Sequence, residues 1–151
     1  MHRILLAVDD SPAALAAARL AVELAAGWGA AVRAVTVLAD HDVDAQMRAV
    51  LPAAHTTSLG ERRRQAASGV LHHVTRLAIE AGVAVETVQV AGEPAPHILD
   101  QARSWQANLI VVGRTGTAGA RQPYIGGQTR HVLEFSRTPV LVVPQPTEVD
   151  S

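Results

Sequence analysis

Five short runs of branched aliphatic residues recur along this 151-residue chain, and the stretches between them carry apolar residues at helical spacing. The runs are Arg3–Val8, Ala31–Leu38, Val83–Val90, Asn108–Val112 and Pro139–Val143. A strict strand–helix alternation leaves few folds open. It predicts an α/β domain with a parallel sheet, helices on both faces and right-handed crossovers. Glu86, Thr87 and Gln89 make the third run polar enough for a sheet edge.

Turn signals punctuate the pattern. Ser11 suits an N-cap and Pro12 the first helical position. Leu15, Ala18, Leu20, Ala21, Leu24 and Ala25 then form an apolar stripe, ended by Gly27 and Gly29. Glu61–Ala81 reads as an amphipathic helix with Ala67, Val70, Leu71, Val74, Leu77, Ala78 and Ala81 on one face, and Gly82 ends it. Its basic start, Arg62, Arg63 and Arg64, opposes the helix dipole, although a solvated face explains it most simply. Gly92-Glu93-Pro94 opens a shorter helix to about Trp105, with Ile98, Leu99 and Ala102 inward, and Gly126–Phe135 has room for another. The least legible stretch is Ala39–Gly60, which opens on Asp40, Asp42 and Asp44. Within it Asp44–Leu51 could make two helical turns, and Ala53–Gly60 reads as loop.

Length suggests one domain, 1–146, with a polar tail over 147–151. The net charge of −1 shows no footprint for nucleic acid or an anionic membrane. No apolar segment reaches 18 residues, and the Ile4–Val8 run is too short for a signal sequence. A soluble, cytoplasmic protein is therefore expected. The absence of cysteine excludes disulfides, thiolate metal sites and thiol catalysis. All 13 basic residues other than histidine are arginine, so Schiff-base chemistry and a Walker-type P-loop are excluded too.

In a sheet of this kind ligands bind beyond the carboxyl ends of the strands. Three segments leave strands there: Val8-Asp9-Asp10-Ser11, Thr36-Val37-Leu38, and the glycine-rich stretch from Gly113 through Gly116 and Gly119 to Gly126-Gly127. The last connects a buried strand to a helix. Its glycines permit close backbone approach, and a helix N-terminus attracts anions, which together make a phosphate cradle that needs no lysine. Arg114 and Arg121 offer counter-charge. Asp9-Asp10 invites comparison with the acidic pair of response-regulator receivers. That reading fails because no aspartate follows Val90 and the chain lacks lysine. None of His41, His55, His72, His73, His97 and His131 forms a metal-like spacing with a third ligand, and Ser11 has no activating neighbour in sequence. No metal site and no catalytic residue is expected.

The Gly-x2-Gly-x9-Gly spacing of Gly113, Gly116 and Gly126 resembles the nucleotide-binding signature of the universal stress protein family. So do Ile4–Ser11, Gly92-Glu93-Pro94, Ala107–Gly113 and Thr138–Pro144, in order along nearly the whole chain. The resemblance implies an open five-stranded parallel sheet in the order 3-2-1-4-5, Rossmann-like and of the adenine nucleotide alpha hydrolase-like kind. It also implies an ATP-binding regulatory module, with or without Mg2+, at most a slow ATPase. Homodimers paired through Pro139–Val143 and an unidentified protein partner follow from it as well. Carried over by position, Asp9 would meet the ribose and adenine, Ala7 and Val37 would line the base pocket with Val112 beneath, and Gly113, Gly116 and Gly126 would hold ribose and phosphates. With Val8 flanking the site, the phosphates would rest on the N–H groups of Gly126, Gly127 and Gln128. One position departs from the pattern: Gly127 stands where the family has Ser or Thr, and Thr129 matches a second hydroxyl position. The alternative is an interaction protein of the same fold that holds no nucleotide.

Overall fold

In the computed structural model, residues 1–38, 53–115 and 125–146 are described, with 53–59 as backbone only. The strands are β1 (Arg3–Ala7), β2 (Ala31–Leu38), β3 (Val85–Ala91), β4 (Leu109–Gly113) and β5 (Val140–Val143). They form one sheet in the order β3-β2-β1-β4-β5, and every pairing is parallel. The polar run is an edge, as its composition predicts, and β5 is the other edge. Register is held by β1 at the centre, where Ile4 faces Val32 on one side and Leu109 on the other.

The helices are α1 (Pro12–Trp28), α2 (Ala53–Glu80), α3 (Pro94–Ser104) and α4 (Gly127–Phe135). The Ser11 Oγ accepts the Ala14 N–H at 3.2 Å, and Pro12 is the first helical residue, so the predicted cap is present. Gly29, at φ +67°, ends the helix. Gly27 does not end it but lies within its last turn. The buried face of α1 is also shifted from the leucine stripe. Ala14, Ala17, Ala18, Ala21, Val22 and Ala25 are buried, while Leu15, Leu20 and Leu24 are only half-buried at its flanks. Alanine at the contact lets a helix backbone sit close against the sheet, and β4 uses that closeness.

Helix α2 corrects the expected loop over Ala53–Gly60, because the helix already starts at Ala53 and runs for 28 residues. Its two internal glycines, Gly60 and Gly69, cost about 1 kcal/mol each, which tertiary packing can offset. Ala67, Val70, Leu71, Val74 and Ala78 supply that packing, with Leu77 half-buried and Ala81 exposed beyond the helix end. Arg62, Arg63 and Arg64 therefore lie well inside the helix, where the dipole argument does not apply. Gly82, at φ +70°, terminates α2 as expected.

Two cores sandwich the sheet. Ile4, Leu6, Val32, Ala34 and Val111 pack against α1 and α2. Leu5, Val35, Ile110 and Val112 pack against α3 and α4 through Ala95, Ile98, Ala102 and Val132. On the second face Arg33 pairs with Glu86 at 2.8 Å, donates to Gln101 at 3.0 Å and lies 4.7 Å above the Trp105 ring. Among the described residues no helix is long and apolar enough to cross a membrane.

Candidate functional site

Chain order reverses between β1 and β4, which are neighbours in the sheet although β2 and β3 intervene in sequence. The carboxyl ends of these two strands open the crevice in which doubly wound folds place ligands. On the β1 side, the Val8 N–H donates to the Val35 carbonyl at 2.9 Å and carries the ladder one residue past the strand. The half-buried Asp9 follows. Its Oδ1 accepts the Ser11 N–H at 2.9 Å, an Asx turn that holds the carboxylate at the mouth of β1. Ser11 itself is buried and its hydroxyl is used as the helix cap, so it offers no nucleophile.

On the β4 side the requirement for glycine at Gly113 is steric. A Cβ there would lie 2.9 Å from the Ala13 carbonyl carbon and from the Ala14 nitrogen. The strand thus presses directly on the first turn of α1. A glycine here is thus required for β4 and α1 to touch, a steric demand that the expectation of ligand approach did not include.

Four main-chain or side-chain bonds position the start of α4. The Thr129 hydroxyl donates to the Gly113 carbonyl at 2.8 Å. The Gly126 N–H donates to the Arg114 carbonyl at 2.8 Å. Gln128 Oε1 accepts the Ala95 N–H at 2.9 Å, and Gln128 Nε2 donates to Glu93 Oε2 at 3.2 Å. The starts of α3 and α4 are thereby tied together. Gly126 is the N-cap, at φ −64° and ψ 157°, and provides no side-chain acceptor. The N–H groups of Gly127, Gln128 and Thr129 occupy the first turn, where a helix has no internal acceptor for them. They point out of an uncapped positive helix end, suited to an anion.

Two details differ from the sequence reading. The N–H of Gly126 is already bonded to Arg114, so the first-turn N–H groups without an acceptor in the helix or among the other described residues are those of Gly127, Gln128 and Thr129, not those of Gly126 to Gln128. The single hydroxyl proton of Thr129 is likewise committed to Gly113, so Thr129 does not stand in for the hydroxyl that Gly127 lacks.

Ala7, Val37 and Val112 pack on the same face of the sheet, the one covered by α3 and α4. Ala7 and Val37 are half-buried and Val112 is buried. The structure therefore brings together Ala7, Val8, Asp9, Val112, Gly113, Gly126, Gly127, Gln128 and Thr129 at the ends of β1 and β4, with Val37 one strand away on β2. Gly116, Gly119 and Arg121 lie outside the described residues, as do Asp40, Asp42, Asp44 and the two turns expected over Asp44–Leu51. Among the described residues no three His, Asp or Glu gather as a metal site. His72 and His131 are exposed and His73 is half-buried.

Sequence reasoning missed the side-chain role of Gln128, which joins segments 33 and 35 residues away. No local pattern signals such a bond. Nor does the sequence show that His97 closes on Gly92, its Nε2 lying 2.7 Å from where a Cβ on Gly92 would stand. Gly92 has φ +133°, a backbone state open to glycine, just before the helix that Gly92-Glu93-Pro94 is expected to open.

A parallel five-stranded sheet in this order, with paired helices on each face and its crevice at β1 and β4, defines an open α/β protein of the adenine nucleotide alpha hydrolase-like class. The chain belongs to the universal stress protein family, whose model matches residues 1–144. It is 32% identical over 145 residues to a universal stress protein of Methanocaldococcus jannaschii, covering 95% of this chain and 82% of that one. The structure of UspA from Lactobacillus plantarum superposes with a TM-score of 0.74 at 27% identity, covering 94% of this chain and 97% of the other. The universal stress protein of Archaeoglobus fulgidus in complex with dAMP shares the fold, with a TM-score of 0.66 at 21% identity and coverage of 95% and 98%.

Proposed function

We propose that this chain is a regulatory module that binds ATP or a related adenine nucleotide and passes its occupancy to a partner or to a second copy of itself, in the cytoplasm. The observation that carries the reading is the start of α4: an uncapped helix end of nine residues, anchored to β4 and α3, beside the crevice that Asp9 enters. The phosphate rests on the N–H groups of Gly127 to Thr129, and Asp9 accepts hydrogen bonds from hydroxyl or amine groups of the nucleoside. A carboxylate belongs at that end, because beside phosphates it would repel them. Ala7, Val37 and Val112 supply the apolar wall for the base, and Gly116 belongs to the cradle by its place in the motif. The dAMP complex of the Archaeoglobus fulgidus relative supports an adenine nucleotide over other anions.

The second copy pairs through β5. This edge strand is half-buried at Val140, Leu141 and Val142, and Phe135 on the adjoining α4 is 65% exposed. An uncovered apolar edge is an aggregation liability that two-fold pairing removes.

One observation favours the alternative of an interaction protein without nucleotide: Gly127 contributes no hydroxyl and Gly126 no free N–H. Acid extraction of the purified protein followed by nucleotide chromatography separates the two readings. Co-purified adenine nucleotide, or thermal stabilisation by millimolar ATP with Mg2+, is the expected result. A nucleotide-free protein with an unchanged melting temperature would reject it.

A further inference from the structure

Helices α3 and α4 begin close together, and neither has a side-chain cap from its own N-cap residue. Those residues are Glu93 for α3 and Gly126 for α4. Gln128, in the first turn of α4, caps α3 in place of Glu93. Its Oε1 accepts the Ala95 N–H at 2.9 Å, and its Nε2 donates to Glu93 Oε2 at 3.2 Å. Ala95 is fully buried and lies in the first turn of α3, where a helix offers an N–H no acceptor of its own. A buried donor without a partner is costly, so the bond to Gln128 fixes where α4 starts relative to α3.

The other side of the same turn is held by Thr129 on Gly113 and by Gly126 on Arg114. Helix α4 has nine residues and buries Thr129 and Val132, too little packing to set its direction without such bonds. The main-chain N–H of Gln128 lies in the turn that the nucleotide reading gives to phosphate. One residue thus carries both a donor for the ligand and the tie to α3. The tie extends further. Glu93 follows Gly92, whose N–H donates to the Leu38 carbonyl at 2.9 Å, at the end of β2 beside Val37. The start of α3 is therefore joined to the phosphate end of the site and to the strand that walls the base.

We propose that Gln128 is a positioning residue of the nucleotide site. Its side chain sets the first turn of α4 against α3, so the main-chain donors are in place before the nucleotide arrives. Linkage makes the effect reciprocal: a nucleotide on α4 stabilises the start of α3, and occupancy is thereby passed to a second element. The inference rests on the nucleotide-binding reading above and deepens it by assigning how the site is regulated.

Titration calorimetry and amide hydrogen exchange of the full chain, with AMP and with ATP–Mg2+ as the probes, test it. Gln128→Met keeps the length of the side chain and loses both bonds without a change of charge. It should weaken nucleotide binding about tenfold. The double variant Gln128→Glu with Glu93→Gln keeps the wild-type net charge and rebuilds both bonds with their roles exchanged. Its new carboxylate accepts the Ala95 N–H and also the amide now at position 93. Its affinity should stay within about threefold of wild type. In wild type and in the double variant, nucleotide should slow amide exchange at residues 95–97. In Gln128→Met that slowing should vanish even at saturating nucleotide.

Wild-type affinity in Gln128→Met, with or without a lower unfolding midpoint in urea, would make Gln128 structural only and overturn the inference. A double variant as weak as Gln128→Met would overturn it too, because the two bonds would then not be what matters. Unchanged exchange at residues 95–97 in saturated wild type would remove the coupling and the inference with it. All three results leave nucleotide binding intact. Absence of binding of both probes to wild type would overturn this inference together with the reading beneath it.

Discussion

The Thr129 hydroxyl donates to the main-chain carbonyl of Gly113 across 2.8 Å and so fastens the first turn of α4 to the last residue of β4. Both residues are near the crevice, yet this bond is internal to the protein. It spends the hydroxyl proton of Thr129, leaving only its main-chain N–H for a ligand, and fixes the direction of the first turn of the helix.

Thr129→Val keeps the shape and removes the bond, leaving a carbonyl without its partner. A loss of about 1–2 kcal/mol in urea unfolding is expected, with Thr129→Ser close to wild type. If the valine variant unfolds at the wild-type midpoint, the bond contributes nothing measurable.

Gly113→Ala is expected to destabilise by about 1–3 kcal/mol, because its Cβ must displace the backbone of Ala13 and Ala14. In a domain of this size that lowers the melting temperature by roughly 2–12 °C. Gly113→Val should be worse. A stable alanine variant with impaired nucleotide binding would return this glycine to the role of ligand approach.

Gly127→Ser meets nothing within 4 Å, so the new side chain has room. It adds a hydroxyl donor at the first position of α4 and should tighten adenine nucleotide binding by about 0.5–1.5 kcal/mol, or roughly 2- to 13-fold. Unfolding should change little. Calorimetric titration beside wild type checks the gain, and unaltered affinity would place the phosphates elsewhere.

Asp9 has two duties that one pair of variants separates. Asp9→Asn retains a side-chain oxygen for the Ser11 N–H and loses the charge; Asp9→Ala loses both. The asparagine variant should unfold within about 0.5 kcal/mol of wild type, whereas alanine should cost about 1 kcal/mol. Both should weaken nucleotide binding, alanine by about 1–3 kcal/mol. Wild-type affinity in Asp9→Ala would remove Asp9 from the site.

Sedimentation at tens of micromolar should show a dimer, and Phe135→Arg, at the exposed side chain that adjoins the β5 edge, should convert it to monomer without loss of the fold by circular dichroism. A wild-type monomer would reject pairing through β5.

Much of the fold was legible because its signals are local. A run such as Ile4–Val8 is apolar without alternation, as a strand buried on both faces must be, and Ser11-Pro12 and Gly82 mark helix ends through their own backbone chemistry. The polarity of β3 announced an edge for the same reason. At the site, the strand ends at Asp9 and Gly113 and the helix start at Gly127 followed from those elements. What each group does there did not follow. The early start of α2 escaped detection because Thr56, Thr57, Ser58 and Gly60 all have weak helix preferences, so the segment reads locally as loop.

The sequence by itself determined the alternation of strands and helices, the caps, and the segments that meet at one end of the sheet, since each depends on residues a few positions apart. Only the tertiary structure decided which donors remain free. Gly126 is spent on Arg114, Thr129 on Gly113 and Gln128 on α3, while the Nε of Arg114 is left without a partner. Those bonds join groups 12 to 35 residues apart, and the folded sheet alone brings them within 3 Å or so, a distance at which each donor can serve either the protein or a ligand.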